Sequence, residues 1–181
     1  YKRQLLSPEK FYEYIRRFGF GSRPESGLSG EALGRVLPLQ RWTRVDHASI
    51  SFGHGILVSP LQLVSALNVV AADGKWLHPY IVDHAFSEEG EIILKTIDEE
   101  GEISQKFGAH FPKQLISAET AQILRKMMIS VTQEGGTAVE AAIPGYKTAG
   151  KTGTSQVFDE KTGRYSNRKH IAFFNGYVCL L

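Results

Sequence analysis

The stretch from Gly145 to Phe158 decides the fold, and it reads Gly-Tyr-Lys-Thr-Ala-Gly-Lys-Thr-Gly-Thr-Ser-Gln-Val-Phe. It places lysine, glycine and several hydroxyl side chains between two apolar segments. The same letters fit either a phosphate-binding loop or the edge of a β-strand. The two interpretations lead to different classes of protein.

The phosphate-loop interpretation rests on Gly145 and on Gly150-Lys151-Thr152, which fit the pattern G-x-x-x-x-G-K-[ST]. That motif needs a buried strand before it and a helix after it. Residues 137–143 instead predict a short helix ended by Pro144, and residues 153–157 are poor helix formers. A phosphate-loop nucleotidase therefore stays as the less favoured alternative.

The strand interpretation rests on Lys151-Thr152-Gly153-Thr154, which is similar to the K-T-G signature of one class of serine acyltransferases. Gly153 would let a substrate backbone approach and pair with the strand. The hydroxyls of Thr152 and Thr154 suit a carboxylate, and Lys151 supplies positive charge. The backbone N–H of Thr154 is a candidate oxyanion donor. The plainer alternative is an exposed edge strand with a solvated lysine.

Composition sets the broad class. The chain has 181 residues, 42% hydrophobic and 22% charged, which is ordinary for a globular domain or a piece of one. A net charge of +2 argues against nucleic acid as the main partner. Cys179 is the single cysteine, so neither an internal disulfide nor a cysteine metal cluster is expected. No run approaches membrane-spanning length, and no signal peptide is visible. Because the chain begins at Tyr1 and not at Met, we expect an internal segment.

Three helices are predicted from serine caps. Ser7-Pro8 opens the first, and its apolar stripe ends at Gly19. Ser7 and Lys10 also fit S-x-x-K, but the capping role accounts for Ser7. Ser59-Pro60 opens the second, which is apolar nearly all round and should be buried. Ser117 opens the third helix, whose predicted core face is Ala121, Leu124, Met128 and Val131. Met127 and Met128 are interpreted as side chains that fill the core.

Strands are predicted in two pairs. Residues 79–86 and 91–97 form one hairpin, followed by a solvated acidic loop at residues 98–102. Residues 146–157 and 165–178 should form an antiparallel pair. His54 lies between two glycines, and a packing or hydrogen-bonding role is favoured over catalysis because no acid or base is near it in sequence.

Several short segments stand in a fixed order before the K-T-G stretch. They are Arg16-Arg17-Phe18-Gly19-Phe20-Gly21, Ser51-Phe52-Gly53-His54-Gly55, Ser59-Pro60-Leu61-Gln62-Leu63 and Gly135-Gly136-Thr137-Ala138. With Gly150-Lys151-Thr152-Gly153-Thr154 they resemble the later part of the transpeptidase domain of class B penicillin-binding proteins. The Ser51–Gly55 segment and Ile171-Ala172-Phe173-Phe174 are most similar to the division-type branch.

The resemblance implies an α/β fold of the α+β type, an antiparallel sheet flanked by helices. It implies a peptidoglycan D,D-transpeptidase that forms a serine acyl-enzyme on D-Ala-D-Ala stem peptides and is trapped by β-lactams. The resemblance assigns substrate binding to Lys151, Thr152, Gly153 and Thr154. No cofactor or metal is implied. Other cell-wall synthesis or division proteins are the implied partners, at the outer face of a bacterial cytoplasmic membrane, with the anchor outside this chain.

The chain departs from the family pattern. The S-x-x-K and S-x-N segments of the family stand before the helix that Ser7 opens, and neither is found there. The family's last strand and C-terminal helix are also missing after Cys179. We therefore expect residues 1–181 to be a partial domain without the nucleophile, inactive alone. A non-catalytic penicillin-recognition or interaction module is the alternative.

Overall fold

A computed structural model of the chain describes residues 6–82, 84–95, 113–159 and 163–179. It divides into two compact units, Tyr1–Ile116 and Ser117–Leu181. The helices are α1 (Pro8–Arg17), α2 (Arg44–Ile50), α3 (Pro60–Ala71) and α4 (Ala118–Ser130); the strands are β1 (Arg35–Val36), β2 (Ile56–Leu57), β3 (Lys75–Trp76), β4 (His84–Phe86), β5 (Ile92–Lys95), β6 (Lys113–Gln114), β7 (Lys147–Asp159) and β8 (Arg164–Cys179). None of the described helices has the length and apolar character needed to cross a membrane.

Helix α1 begins as its sequence predicts. The Ser7 hydroxyl accepts a hydrogen bond from the Lys10 amide at 3.2 Å, and Pro8 occupies the first helical position. Glu9 in the first turn and arginines in the last turn complement the helix dipole. The chain leaves the helix at Gly19, whose φ of +81° is open to glycine at little cost.

Helix α3 has the predicted Ser59 cap, but its burial differs from the prediction. Val64 is 55% exposed, whereas the polar Gln62 is only 2% exposed. The Gln62 side-chain amide donates to the carbonyl oxygens of Gly19 at 3.3 Å, Ser22 at 2.7 Å and Leu33 at 3.1 Å. The expectation of a helix buried all round is therefore wrong. This helix packs against loop backbone, and the loop carbonyls need a donor.

The same loop is held from its other side by Glu31. Its carboxylate accepts from the amides of Glu25 at 2.8 Å and Ser26 at 2.7 Å, and from the Ser26 hydroxyl. These hydrogen bonds, led by the Ser26 hydroxyl, hold the pKa of Glu31 below its ordinary value. The ring Nε2 of His78 lies 2.9 Å from the Glu25 carbonyl oxygen. Irregular backbone is thus fixed by buried or partly buried polar side chains.

The strands of the first unit form short antiparallel pairs, β1 with β2, β3 with β6 and β4 with β5. The predicted hairpin is confirmed at β4 and β5, but residues 79–82 are not a strand. Pro79 lacks an amide hydrogen, and the Ile81 amide donates to the Ser26 carbonyl at 3.2 Å instead of to a strand. Residues 96–97 and the predicted acidic loop lie outside the described residues.

In the second unit, the predicted Ser117 cap of α4 is confirmed, since the Ser117 hydroxyl accepts from the Thr120 amide at 3.1 Å. Ala121 is fully buried, as expected, but Leu124 is 37% exposed, so the predicted core face is wrong at that position. Met127 is 58% exposed and is not core filler. Six helical residues turn the side chain by about 240°, which carries Met127 away from the Ala121 face. The predicted short helix at residues 137–143 is a single 3₁₀ turn, Val139–Ala141.

Strands β7 and β8 form a long antiparallel hairpin, as predicted. The register pairs Lys147 with Cys179 and continues without a break to Gln156 opposite His170, where an irregularity follows. Residues 150–152 lie within β7, so no helix begins at Gly150. A phosphate loop requires that helix, and the nucleotidase alternative is therefore wrong.

Candidate functional site

The four residues Lys151–Thr154, which include the K-T-G letters, lie in the middle of β7. Opposite them on β8 are Asn175, Phe174, Phe173 and Ala172, in that order. Because side chains alternate along a strand, Thr152 and Thr154 share one face, and Lys151 lies on the other. The two hydroxyl side chains are thus neighbours on one face of the sheet.

Lys151 is exposed. Its ammonium Nζ donates to the carbonyl oxygen of Thr152 at 2.7 Å. An ammonium has three donors, so this contact leaves two for a ligand or for water. The positive charge therefore stays beside the backbone of Thr152 although the side chain begins on the opposite face.

The backbone of β7 has one edge directed away from β8. The carbonyl of Thr148 accepts from the Thr132 hydroxyl at 2.9 Å, and that of Thr152 accepts from Lys151. Neither donor belongs to β8. Since the backbone groups of alternate residues point to the same edge of a strand, Thr154 presents its N–H along this edge as well. Within the described residues, β7 pairs only with β8.

The glycines of β7 make room for phenylalanine rings of β8. A Cβ at Gly153 would overlap the ring of Phe173, and a Cβ at Gly150 would lie 2.6 Å from Cε2 of Phe174. The packing of the Phe173 ring therefore requires glycine at position 153, which the sequence alone did not indicate. The Phe173 ring fills the face that a Gly153 side chain would occupy.

A threonine outside the strand contacts the site. The hydroxyl oxygens of Thr137 and Thr152 are 3.3 Å apart, within hydrogen-bond distance. Thr137 belongs to the Gly135–Ala138 segment, and its sequence context alone indicates no role at the site. The two residues are far apart in sequence, so only the folded chain brings them together.

Tyr177 occupies β8 on the Lys151 face, opposite Ala149. Its partial burial raises the pKa of the phenol, and the Arg125 guanidinium offsets part of that rise. Tyr177 is therefore neutral at physiological pH and adds no charge to the site.

The other candidate residues are not assembled into a second site. Lys10 is not a base for Ser7, because its Nζ donates to the Glu13 carboxylate at 2.9 Å while the Ser7 hydroxyl caps α1. His54 is exposed in a turn between two positive-φ glycines, with its ring 5.2 Å from that of Phe52. Among the described residues, no cluster of His, Cys, Asp or Glu has the makings of a metal site.

Comparison with known proteins identifies the family of the chain. A family model described as the penicillin binding protein transpeptidase domain matches residues 2–179. Stage V sporulation protein D of Bacillus subtilis is 36% identical over 175 residues, covering 97% of this chain and 25% of that protein. Peptidoglycan D,D-transpeptidase FtsI of Escherichia coli is 33% identical over 160 residues, covering 88% of this chain and 23% of that protein.

A solved structure shares the fold. Penicillin-binding protein 3 of Mycobacterium tuberculosis in its apo form superposes with a TM-score of 0.82 at 30% identity, over 95% of this chain and 37% of that one. The same protein has been solved in complexes with ampicillin and with aztreonam. Its fold confirms the expected mixture of helices and antiparallel strands. The chain spans about a quarter of the length of the two curated relatives. It belongs to the penicillin-binding protein transpeptidase domain family.

Proposed function

We propose that residues 1–181 are the later part of the transpeptidase domain of a peptidoglycan D,D-transpeptidase, which cross-links stem peptides in the bacterial cell wall. The observation that carries the proposal is the position of Lys151-Thr152-Gly153-Thr154 on a β7 edge directed away from β8. Membership of the transpeptidase domain family supports the reaction class.

The roles follow from the chemistry of the edge. The terminal carboxylate of a D-Ala-D-Ala stem peptide accepts hydrogen bonds from the hydroxyls of Thr152 and Thr154. Lys151 adds positive charge beside them, and that charge also favours the negative charge that develops in the transition state. The N–H of Thr154 donates to the oxygen of the attacked carbonyl. Gly153 leaves the edge itself unobstructed for substrate backbone.

The covalent step uses a serine of the full-length protein outside residues 1–181. The serine hydroxyl adds to the carbonyl between the two D-alanines and passes its proton to a base. The peptide C–N bond then breaks, and the terminal D-alanine leaves as a protonated amine. An amine of a neighbouring stem peptide displaces the serine from the acyl-enzyme. A β-lactam carbonyl undergoes the first step only, and the complexes of the tuberculosis relative with ampicillin and aztreonam support this part.

We further propose a role in septal wall synthesis at the outer face of the cytoplasmic membrane, together with other cell-wall synthesis proteins. The Ser51-Phe52-Gly53-His54-Gly55 segment and the likeness to FtsI of Escherichia coli support the division-type branch. Depletion of the protein in its own organism should then give filaments rather than round cells. Round cells would assign it to wall elongation.

The reaction is tested by intact-mass measurement of the full-length protein after incubation with ampicillin. We expect one stoichiometric adduct, on a serine outside residues 1–181, and none on the 181-residue chain alone. No adduct on the full-length protein would favour the non-catalytic recognition module. An adduct on Ser7 or Ser155 would overturn the assignment of the nucleophile.

The site is tested with Lys151→Ala in the full-length protein. Loss of this charge should lower the acylation rate by about 10²-fold with little change in melting temperature, because the side chain is exposed. Lys147→Ala is the matched control, since Lys147 is exposed on the same face of the same strand. Equal acylation by both variants would remove Lys151 from the site.

A further inference from the structure

We propose that Thr137 is a positioning residue for Thr152, and that the two hydroxyls form a donor chain which selects a ligand with an anionic carboxylate. The inference rests on the proposed function of β7. It assigns a part in substrate selection to the segment between α4 and β7.

The contact itself leaves one proton uncommitted. The two hydroxyl oxygens are 3.3 Å apart, and each carries a single hydrogen. Only one of these hydrogens lies between them. Within the described part of the chain, neither hydroxyl has another hydrogen-bond partner. The pair therefore offers its second hydrogen to whatever occupies the site.

Thr137 is held in place by the residues on both sides of it. A Cβ at Gly136 would lie 2.5 Å from the Ser130 carbonyl oxygen and would also overlap that of Val131, so this backbone packs directly on the end of α4. On the other side, the buried Ala138 donates its amide to the Val131 carbonyl at 2.9 Å. The side chain of Thr137 is exposed although its backbone is fixed.

An anionic ligand fixes which hydroxyl of the pair donates and which accepts. When a carboxylate accepts from Thr152, the Thr152 oxygen is free to accept from Thr137, and each hydrogen bond polarises the next. Hydrogen bonds to a charged acceptor are stronger than those to a neutral one. The chain from Thr137 through Thr152 therefore favours a carboxylate over its neutral ester.

A second threonine pair provides a control. Thr132 and Thr148 are both buried, and the Thr132 hydroxyl donates to the Thr148 carbonyl at 2.9 Å. The Thr148 hydroxyl donates in turn to the Thr132 oxygen at 3.2 Å. Both protons are used within the protein, so this pair contributes to stability and not to ligand selection.

The experiment measures acylation of the full-length protein by ampicillin and by ampicillin methyl ester. Thr137→Val removes the hydroxyl at nearly constant shape and should lower the ratio of the two rates about tenfold, with an unchanged melting temperature. Thr137→Ser keeps the hydroxyl and should stay within about twofold of the wild type. Thr132→Val should lower the melting temperature and leave the ratio as it is.

A wild-type ratio in Thr137→Val would overturn the inference, whether the two rates stay unchanged or fall by the same factor. If the ester reacts too slowly to measure, the ampicillin rate decides, since only Thr137→Val should be slow and Thr137→Ser should not. A wild-type protein that forms no ampicillin adduct would overturn the proposed function and this inference with it.

Discussion

The loop after α1 in the first unit and the β7–β8 hairpin of the second unit are both fixed in place, but by different means. The loop has irregular backbone, and its carbonyls are satisfied by the Gln62 amide while its amides are satisfied by the Glu31 carboxylate. In the hairpin, a continuous register from Lys147 to Gln156 pairs the backbone groups that face β8, and side-chain donors such as Thr132 are needed only at the other edge.

The difference determines where a single substitution does harm. In the loop, several partly buried carbonyls share one side-chain donor, so the loss of that side chain weakens several backbone positions at once. In the hairpin, each backbone pair is supported by its neighbours, so a substitution lowers stability mainly when the new side chain no longer fits. The predictions below test this contrast, from the largest expected effect to the smallest.

The largest effect is expected for Gln62→Leu. Leucine has a similar size but no donor, so the carbonyls of Gly19, Ser22 and Leu33 lose their shared partner. The expected loss is about 3 kcal/mol in the free energy of unfolding. The measurement is thermal unfolding of the full-length protein. Gln122→Leu, at an exposed position of α4, is the matched control and should change stability by less than about 0.5 kcal/mol. Equal effects of the two would contradict the proposed role of the amide.

A smaller effect is expected for Gly153→Ala. The new methyl group must displace the Phe173 ring, and overpacking of this kind costs about 2 kcal/mol. Phe173→Ala removes the obstacle, so the double variant should be less destabilised than the sum of the two single variants. Strict additivity in a double-mutant cycle would mean that the glycine and the ring do not meet.

The contrast also separates what the sequence could predict from what it could not. The caps at Ser7, Ser59 and Ser117 were predictable because a cap depends on residues within one turn. The antiparallel pairing of β7 with β8 was predictable because its apolar segments and turn lie close together in the chain. The candidate site at Lys151–Thr154 could be proposed because its residues form one short run.

What the sequence did not reveal depends on distant contacts. A glutamine at a helical position looks the same whether it is solvated or, like Gln62, surrounded by loop carbonyls. The overlap of Gly153 with Phe173 requires the register of the two strands, and the contact of Thr137 with Thr152 requires the turn that Gly136 allows. None of these follows from periodicity or propensity alone.

Acid should weaken the loop before it weakens the hairpin, and this effect is expected to be smaller still. The pKa of Glu31 lies below its ordinary value of 4.5 in the folded chain. A lowered carboxyl pKa stabilises the fold above the unfolded-state value, and this stabilisation is lost as the pH falls through the folded-state pKa. Glu31→Gln should therefore flatten the dependence of melting temperature on pH below about 4.5. Identical pH profiles for the wild type and Glu31→Gln would contradict the anchoring role.

The smallest effect is expected at Lys10, which lies in the first turn of α1, outside both the loop and the hairpin. Lys10 pairs with Glu13 at 2.9 Å, and both side chains are about half exposed. Such a solvent-exposed pair adds little to stability. Lys10→Ala should thus change neither the melting temperature nor the rate of acylation by ampicillin in the full-length protein. Ser7→Ala should lower stability by about 1 kcal/mol through loss of the cap, again with normal acylation. Together the two variants separate a capping serine from a nucleophile with its lysine. If either one abolished acylation, the S-x-x-K letters at the start of α1 would be catalytic, and the nucleophile would lie within this chain.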